Sequence, residues 1–580
     1  MVEVDGDSNL KSIIQHIVLK NAFEHDGKPR VDVVISRLIA VKPEMRSKIK
    51  EIIPVIKKIV EEISYMTLIE KKKLFENLFP LFEKEKEKED TKKTVHFPPL
   101  VNAKIGLVVT RFPPEPNGYP HIGHAKAVII DEEYAKMYNG KLILRFDDTN
   151  PTNEKLEYYK AILDGLEWLN IKPDLIKNTS DDIEIIYKYG KELVLKKNAY
   201  VCICVQNKIK ENRFLQQECD CRVNQDNYPE RIDHFFDGNF NENQAVVRFK
   251  GDMKSQNTSM RDPTLFRIIN HTHPLLGDKY NIWPTYDLAA PIEDSLDGVT
   301  HAMRTKEYEL RNELYFEILD KLSLRKPEMI EFSRLEFEGL PVSKRKIKPL
   351  IENDIITRWD DPRLPTLIGL KRRGFTAEAV RKFILSLGIT LAETKPSFEI
   401  LESFNRKIVD SDSIRLFFVK NPCKLFINNN EAEKILLKNH PNNDSLGSRE
   451  IHVNNIFYIA DDDFNKIKKG DEIRLMELYN IKIDKIDDKE KILTAFMTDR
   501  EIRRDIPKIQ WVSDGGCVDY SILVPDILFK NEKFNEDSLV TLTGFCESHI
   551  NLLEPDDRIQ FVRMGFCRVD DASTAIMTHK

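Results

Sequence analysis

Residues 111–126 read Arg111-Phe-Pro-Pro-Glu-Pro-Asn-Gly-Tyr-Pro-His121-Ile-Gly-His124-Ala-Lys126, and the fold is decided here. Val108 and Val109 close an apolar run before it, and Ile122, Ala125 and Ile129 recur at helical spacing after it. The pattern predicts a strand leaving a sheet, a proline-stiffened turn, and a helix whose first turn carries His121 and His124. Unpaired amides and the positive end of the macrodipole make such a helix mouth a site for an anion such as a triphosphate. Gly123 has no side chain, so a base or ribose could lie against the backbone there. By itself the stretch reads sooner as a turn feeding a surface helix; the remaining motifs reverse that.

Outward from it, Ile105 to Val109 and Lys141 to Phe146 read as strands flanking a helix from His121 to Tyr138, a βαβ unit of a Rossmann-like domain over 99–345. Ile282-Trp-Pro-Thr-Tyr286-Asp and the run to Thr305 read as a return to the same sheet, leaving 183–282 as an insertion. Residues 9–80 carry helical stripes (Ile13, Ile14, Ile17, Val18; then Ile52, Ile53, Val55, Ile56, Val60). They form an α-helical extension that ends, within 1–98, in a charged linker from Glu83 to Lys93. Helical patterns dominate a connector over 346–416. From 417 to 580 short alternating runs and Gly/Asn punctuation predict two all-β barrels, with Trp511 a core residue.

A chain of 580 residues exceeds one core, and 41% hydrophobic with 32% charged residues is the composition of a globular multidomain protein. No uncharged apolar run is long enough for a bilayer, and the acidic start lacks a signal core. With eight scattered cysteines this places the chain in a reducing cytoplasm, without a membrane partner. A net charge of -6 does not advertise nucleic acid, so any such partner must meet local basic patches. Cys202-Ile-Cys204 and Cys219-Asp-Cys221, 14 residues apart, read as the ends of a small zinc-clipped ribbon or as free buried thiols; Cys423, Cys517, Cys546 and Cys567 read as core.

A second signature, Pro341-Val-Ser343-Lys344-Arg345-Lys346, lies in a polar loop far downstream. Together with His-Ile-Gly-His it resembles the paired signatures of class I aminoacyl-tRNA synthetases. Arg145-Phe-Asp147-Asp148-Thr149-Asn150-Pro151, Trp283-Pro-Thr-Tyr286-Asp287, Gly298-Val-Thr-His-Ala-Met-Arg304-Thr305, Ser333-Arg334-Leu335 and Trp359-Asp-Asp-Pro-Arg-Leu-Pro-Thr366 narrow the resemblance to the glutamyl/glutaminyl subclass in its archaeal and eukaryotic form. The loop departs from the family's Lys-Met-Ser-Lys-Ser in its first half and at Arg345, while Ser343 and Lys344 remain.

The resemblance implies ATP-dependent attachment of glutamate to tRNA(Glu) through glutamyl-adenylate, with tRNA(Gln) a second candidate acceptor. His121, His124, Ser343 and Lys344 would be catalytic. Glu115, Pro116, Asn117, Gly123, Lys126, Thr305, Arg334 and Leu335 would bind ATP with its Mg²⁺. The insertion would hold the acceptor end and the C-terminal barrels the anticodon; the strings Asn439-His-Pro through Gly447-Ser-Arg449 and Lys508-Ile-Gln-Trp511 resemble anticodon-domain segments. Arg304, a guanidinium able to grip a distal carboxylate, points to glutamate rather than glutamine. Arg111, Asp147 and Tyr286 would complete the amino-acid pocket. The plainer reading pairs Arg304 with Glu307 on the surface. A glutaminyl enzyme and a catalytically silent tRNA-binding protein are the competing functions, and a monomer is the expected state.

Overall fold

The computed structural model describes the chain except residues 1–7, 25–28, 42–48, 68–69, 72–73, 75–96, 224–227, 343, 394 and 430. It forms two compact units, 1–96 and 97–580. In the first, α1 (Ser8–Glu24), α2 (Val31–Val41) and α3 (Ile49–Ser64) bury the predicted stripes against one another, Ile13, Ile14, Ile17 and Val18 meeting Val34, Leu38, Ile52 and Ile56. The charged run from Glu83 to Lys93 lies outside the described residues.

The second unit is built on β1 (Val109–Phe112), α4 (Ile122–Met137), β2 (Lys141–Phe146), α5 (Leu156–Trp168) and β3 (Leu175–Asn178). The three strands are parallel, with Val109 opposite Lys141 and Ile143 opposite Leu175. β1 begins four residues later than the apolar run predicts. Gly106, at φ +80°, turns the chain and donates to the Tyr138 carbonyl at 2.7 Å, leaving Ile105 and Leu107 exposed. The strand instead buries Thr110 and Arg111, whose polar atoms are satisfied by Asp131 O and Asp294.

The insertion comprises α6 (Ile183–Leu195), β4 (Ala199–Cys202), α7 (Gln206–Leu215), α8 (Asp220–Val223), α9 (Tyr228–Phe236), β5 (Val246–Phe249), β6 (Thr264–Ile268) and β7 (Ile282–Pro284). Its strands form an antiparallel sheet in the order β4-β5-β6-β7. Ile282–Pro284 therefore closes the insertion's own sheet and does not return to the β1–β2–β3 sheet: an apolar strand signals burial, not which neighbour it pairs with. The return comes after α10 (Tyr286–Leu296), at β8 (His301–Thr305), which with α11 (Asn312–Leu322) and β9 (Glu328–Phe332) makes a parallel pair. This pair lies alongside β1, where the Thr300 amide donates to Val109 O at 2.9 Å. The five strands thus run β3-β2-β1-β8-β9, and the loops at their C-terminal ends surround a crevice, where open α/β sheets bind ligands.

The connector holds α12 (Lys344–Glu352), α13 (Leu367–Arg373), α14 (Ala377–Leu387) and α15 (Phe398–Val409). Beyond it are two seven-stranded sheets. Strands 414–416 and 418–420 join those from 517 onward, and the segment 422–513 builds the other sheet between them. Trp511 is core, as predicted, fully buried with Nε1 donating to Met476 O at 3.0 Å. Cys423, Cys546 and Cys567 are buried and Cys517 partly so. Arg449, in one of the anticodon-like strings, is buried against Glu547 at 2.5 Å. Among the described residues no helix is long and apolar enough to cross a membrane.

Candidate active site

His121 is the N-cap of α4, and the two imidazoles close the helix mouth reciprocally. His121 Nδ1 accepts the Gly123 amide at 3.1 Å, and His124 Nδ1 accepts the His121 amide at 3.2 Å. Each Nδ1 is therefore an acceptor, so the ring proton sits on Nε2. The ring centroids are 4.0 Å apart. Burial holds both rings neutral, His121 well below the ordinary histidine range and His124 down to about 4. The result is a pair of uncharged Nε2–H donors at the positive end of a helix. A Cβ on Gly123 would stand 2.9 Å from His121 Cε1, so the missing side chain makes room for His121 itself.

The turn before α4 is held by the 359–366 strap. Ile122 N donates to Pro365 O and Leu367 N to Pro120 O, each at 2.9 Å, and Tyr119 stacks on Trp359 at 5.5 Å. These histidines open onto a cleft of about 1100 Å³ that Glu115, Asn117, Gly123, Thr305, Arg334 and Leu335 also line. Pro116 stands behind that wall, its carbonyl accepting the Lys155 amide at 3.3 Å. Lys126 reaches the cleft, but its ammonium is engaged by Ser333 O (2.5 Å) and Oγ (3.2 Å), and burial lowers it to about 8. It ties α4 to the strand end at 333 and is not a loose phosphate cation. Ser343 lies outside the described residues; Lys344 opens α12, and Val342 and Arg345 beside it line the cleft.

Arg111, Asp147, Tyr286 and Arg304 line the same cleft. Arg304 is 6% exposed; its Nη1 lies 3.4 Å from Tyr286 Oη, its guanidinium 5.4 Å over the Tyr315 ring. Its Nε and Nη2 have no hydrogen-bond partner among the described residues. Glu307, the alternative surface partner, is 2.6 Å from Arg334 instead. A buried cation with two idle donors is expensive unless an anion arrives. Arg111 differs. Its Nε meets Asp294 at 3.1 Å and its Nη1 donates to Met303 O at 2.6 Å, so two of its donors are spent on the scaffold. Asp147 accepts from Thr179 Oγ1 at 3.1 Å and lies 3.4 Å from Arg145; burial raises its carboxyl despite Arg145.

Asp294, missed in the sequence, anchors this wall. It also accepts a hydrogen bond from Tyr315 Oη at 2.8 Å and is ion-paired with Arg145, whose Nη2 lies 2.9 Å away. Burial would raise it, but the Arg111 and Arg145 guanidinium groups hold it below the usual carboxylate value. The signal was there: Glu293-Asp294 follow Leu288 to Ile292 in one apolar helix, and buried acids need cations.

The four insertion cysteines converge. Their sulfurs all lie within 4.8 Å of one another, Cys202–Cys219 at 3.9 Å and Cys204–Cys221 at 3.8 Å. A tetrahedral zinc at about 2.3 Å from each sulfur demands edges of about 3.8 Å, so the set fits that ion. The support is not the predicted ribbon: α7 runs between the pairs and Cys221 sits in α8.

Comparisons with known proteins identify the family. The model of the catalytic domain of class I tRNA synthetases (E and Q) matches residues 107–411, and models of the anticodon-binding domain of the same class match 413–499 and 508–570. The chain therefore belongs to the class I tRNA synthetases of the E and Q group. Over 574 residues it is 48% identical to the glutamate–tRNA ligase of Nitrosopumilus maritimus (strain SCM1), covering 99% of this chain and 100% of the relative. The glutamate–tRNA ligases of Cenarchaeum symbiosum (strain A), 46% identical over 99% and 100%, and of Pyrococcus furiosus, 36% identical over 97% and 98%, are similar along their whole lengths.

Proposed function

We propose that this chain activates glutamate with ATP and transfers it to the terminal ribose of tRNA(Glu). The observation that carries the reading is Arg304: a buried guanidinium, two of whose donors have no partner among the described residues, on a residue lining the cleft that the His121–His124 pair opens onto. Glutamate attacks the α-phosphate through its α-carboxylate, pyrophosphate leaves, and the ribose hydroxyl then takes the acyl group from AMP. In-line displacement asks the protein for positioning and charge neutralisation more than covalent help.

His121 and His124 supply Nε2–H donors to the phosphates without titrating near neutral pH, and Lys344, with Ser343 beside it, stabilises the departing pyrophosphate from the mouth of α12. Glu115, Asn117, Thr305, Arg334 and Leu335 shape the nucleotide side, while Arg111 and Lys126 fix its walls. Asp147 takes the substrate ammonium, Tyr286 its flank, Arg304 its distal carboxylate. Synthetases of this class use ATP with Mg²⁺, which would neutralise phosphate charge. Cys202, Cys204, Cys219 and Cys221 would hold a structural zinc outside the reaction. The insertion holds the acceptor end and the C-terminal sheets the anticodon, in a cytoplasmic monomer.

Charging purified tRNA isoacceptors with labelled glutamate or glutamine tests this. Glutamate should appear on tRNA(Glu), and the tRNA(Gln) arm reads the second acceptor directly. Preference for glutamine would assign the competing enzyme; tRNA binding without any charging would assign the silent scaffold.

A further inference from the structure

The turn between β6 and β7 closes on itself, His273 N donating to Gly277 O at 3.0 Å and Gly277 N to His273 O at 2.9 Å. From that turn the His273 imidazole, buried and stacked on Trp283 at 4.9 Å, reaches the loop that follows β2. Its Nδ1 accepts the amides of Leu275 and Leu276, both at 3.2 Å, so its proton is on Nε2. Nε2 stands 3.1 Å from Asp148 O and 3.2 Å from Glu154 Oε2. Glu154's other oxygen accepts the Asn150 amide at 2.6 Å. The Asp148 carboxyl is occupied separately by Ser180 N, Ser180 Oγ and Tyr159 Oη, at 2.8, 2.7 and 2.8 Å. One imidazole and one carboxylate therefore pin the backbone at Asp148 and Asn150. On either side of these two bonds, Asp147, Thr149 and Asn150 line the cleft; His273, Glu154 and Asp148 do not.

We infer that His273 is a positioning residue for the amino-acid site: the insertion, through this ring beside a longer bond from Arg267 Nη2 to Thr149 O at 3.4 Å, sets the Asp147–Asn150 loop and so the place where the substrate ammonium is held. The inference rests on the reading of Asp147 given above. Two substitutions in the full chain separate its parts. Asn at 273 keeps an acceptor near the Nδ1 position, and with it the turn, but loses the Nε2 donor; Gln keeps a donor near Nε2 and loses the acceptor. In glutamate-dependent pyrophosphate exchange, His273→Asn should raise the KM for glutamate by about tenfold and leave the KM for ATP within about twofold. His273→Gln should recover most of that loss. Should His273→Asn not fold, Glu154→Gln, which sets an N–H against the Nε2 proton, carries the same expectation.

An unchanged KM for glutamate in a folded His273→Asn or Glu154→Gln chain overturns the inference, as does a fall in kcat alone. Absence of exchange in the unsubstituted chain is a different failure, that of the proposed reaction.

Discussion

Replacing Arg304 with alanine removes the cation proposed to select glutamate, and the structure sets the size of the effect. The guanidinium is almost wholly buried, with Nε and Nη2 facing no acceptor among the described residues. A carboxylate delivered to it forms a desolvated, charge-assisted pair. Removing one partner of such a pair costs about 3–5 kcal/mol. At about 1.4 kcal/mol per tenfold, kcat/KM for glutamate should fall by roughly two to three and a half orders of magnitude. Stability should move far less. The unliganded chain loses a cation–π contact with Tyr315 and a long bond to Tyr286, but is relieved of an unpaired buried charge, so the net change should stay near 1 kcal/mol.

The assay is pyrophosphate exchange with glutamate and with glutamine, with tRNA present, alongside a thermal melt. The ratio of the two amino acids should collapse because glutamine never used the charge. A folded Arg304→Ala chain with undiminished glutamate activity would refute the reasoning.

Lys344→Ala should slow activation by at least about tenfold while filter binding shows tRNA affinity largely unchanged, because the group acts on the departing pyrophosphate. For the histidines the sign follows from burial: both are depressed in the folded chain, His124 to about 4, so between there and the usual 6.5 the unfolded chain binds more protons. Stability should fall as pH drops through that window. His124→Asn, which keeps an acceptor for the His121 amide, should flatten the slope of denaturant midpoint against pH. Metal analysis of the purified chain should find one zinc, lost in the Cys202→Ser/Cys221→Ser double variant; a metal-free chain of equal stability would assign the thiols to plain burial.

Much of the site was legible because its chemistry forces residue types into short strings. A helix mouth needs His121 and His124 within one turn, and a carboxylate needs a guanidinium such as Arg304. What escaped lies in pairings between distant segments. Asp294 shows in the sequence only as an acid in an apolar helix; its partners do not show, because β1, β2 and α10 bring Arg111 and Arg145 to it from distant segments. Hydrophobicity alone puts the start of β1 too early, because Thr110 and Arg111 are the buried members and Ile105 and Leu107 the exposed ones. Lys126 lines the cleft, and its charge is visible in the sequence while its bonds to Ser333 are not. The apolar stripes of the N-terminal helices involve only one surface each, and there periodicity was enough.

The most direct test is calorimetric titration of the chain with two non-hydrolysable adenylates, one glutamyl and one glutaminyl, that differ only at the distal group. A buried guanidinium waiting for a carboxylate should make the glutamyl compound bind at least about a hundredfold tighter. Equal affinity, or preference for the amide, would contradict it.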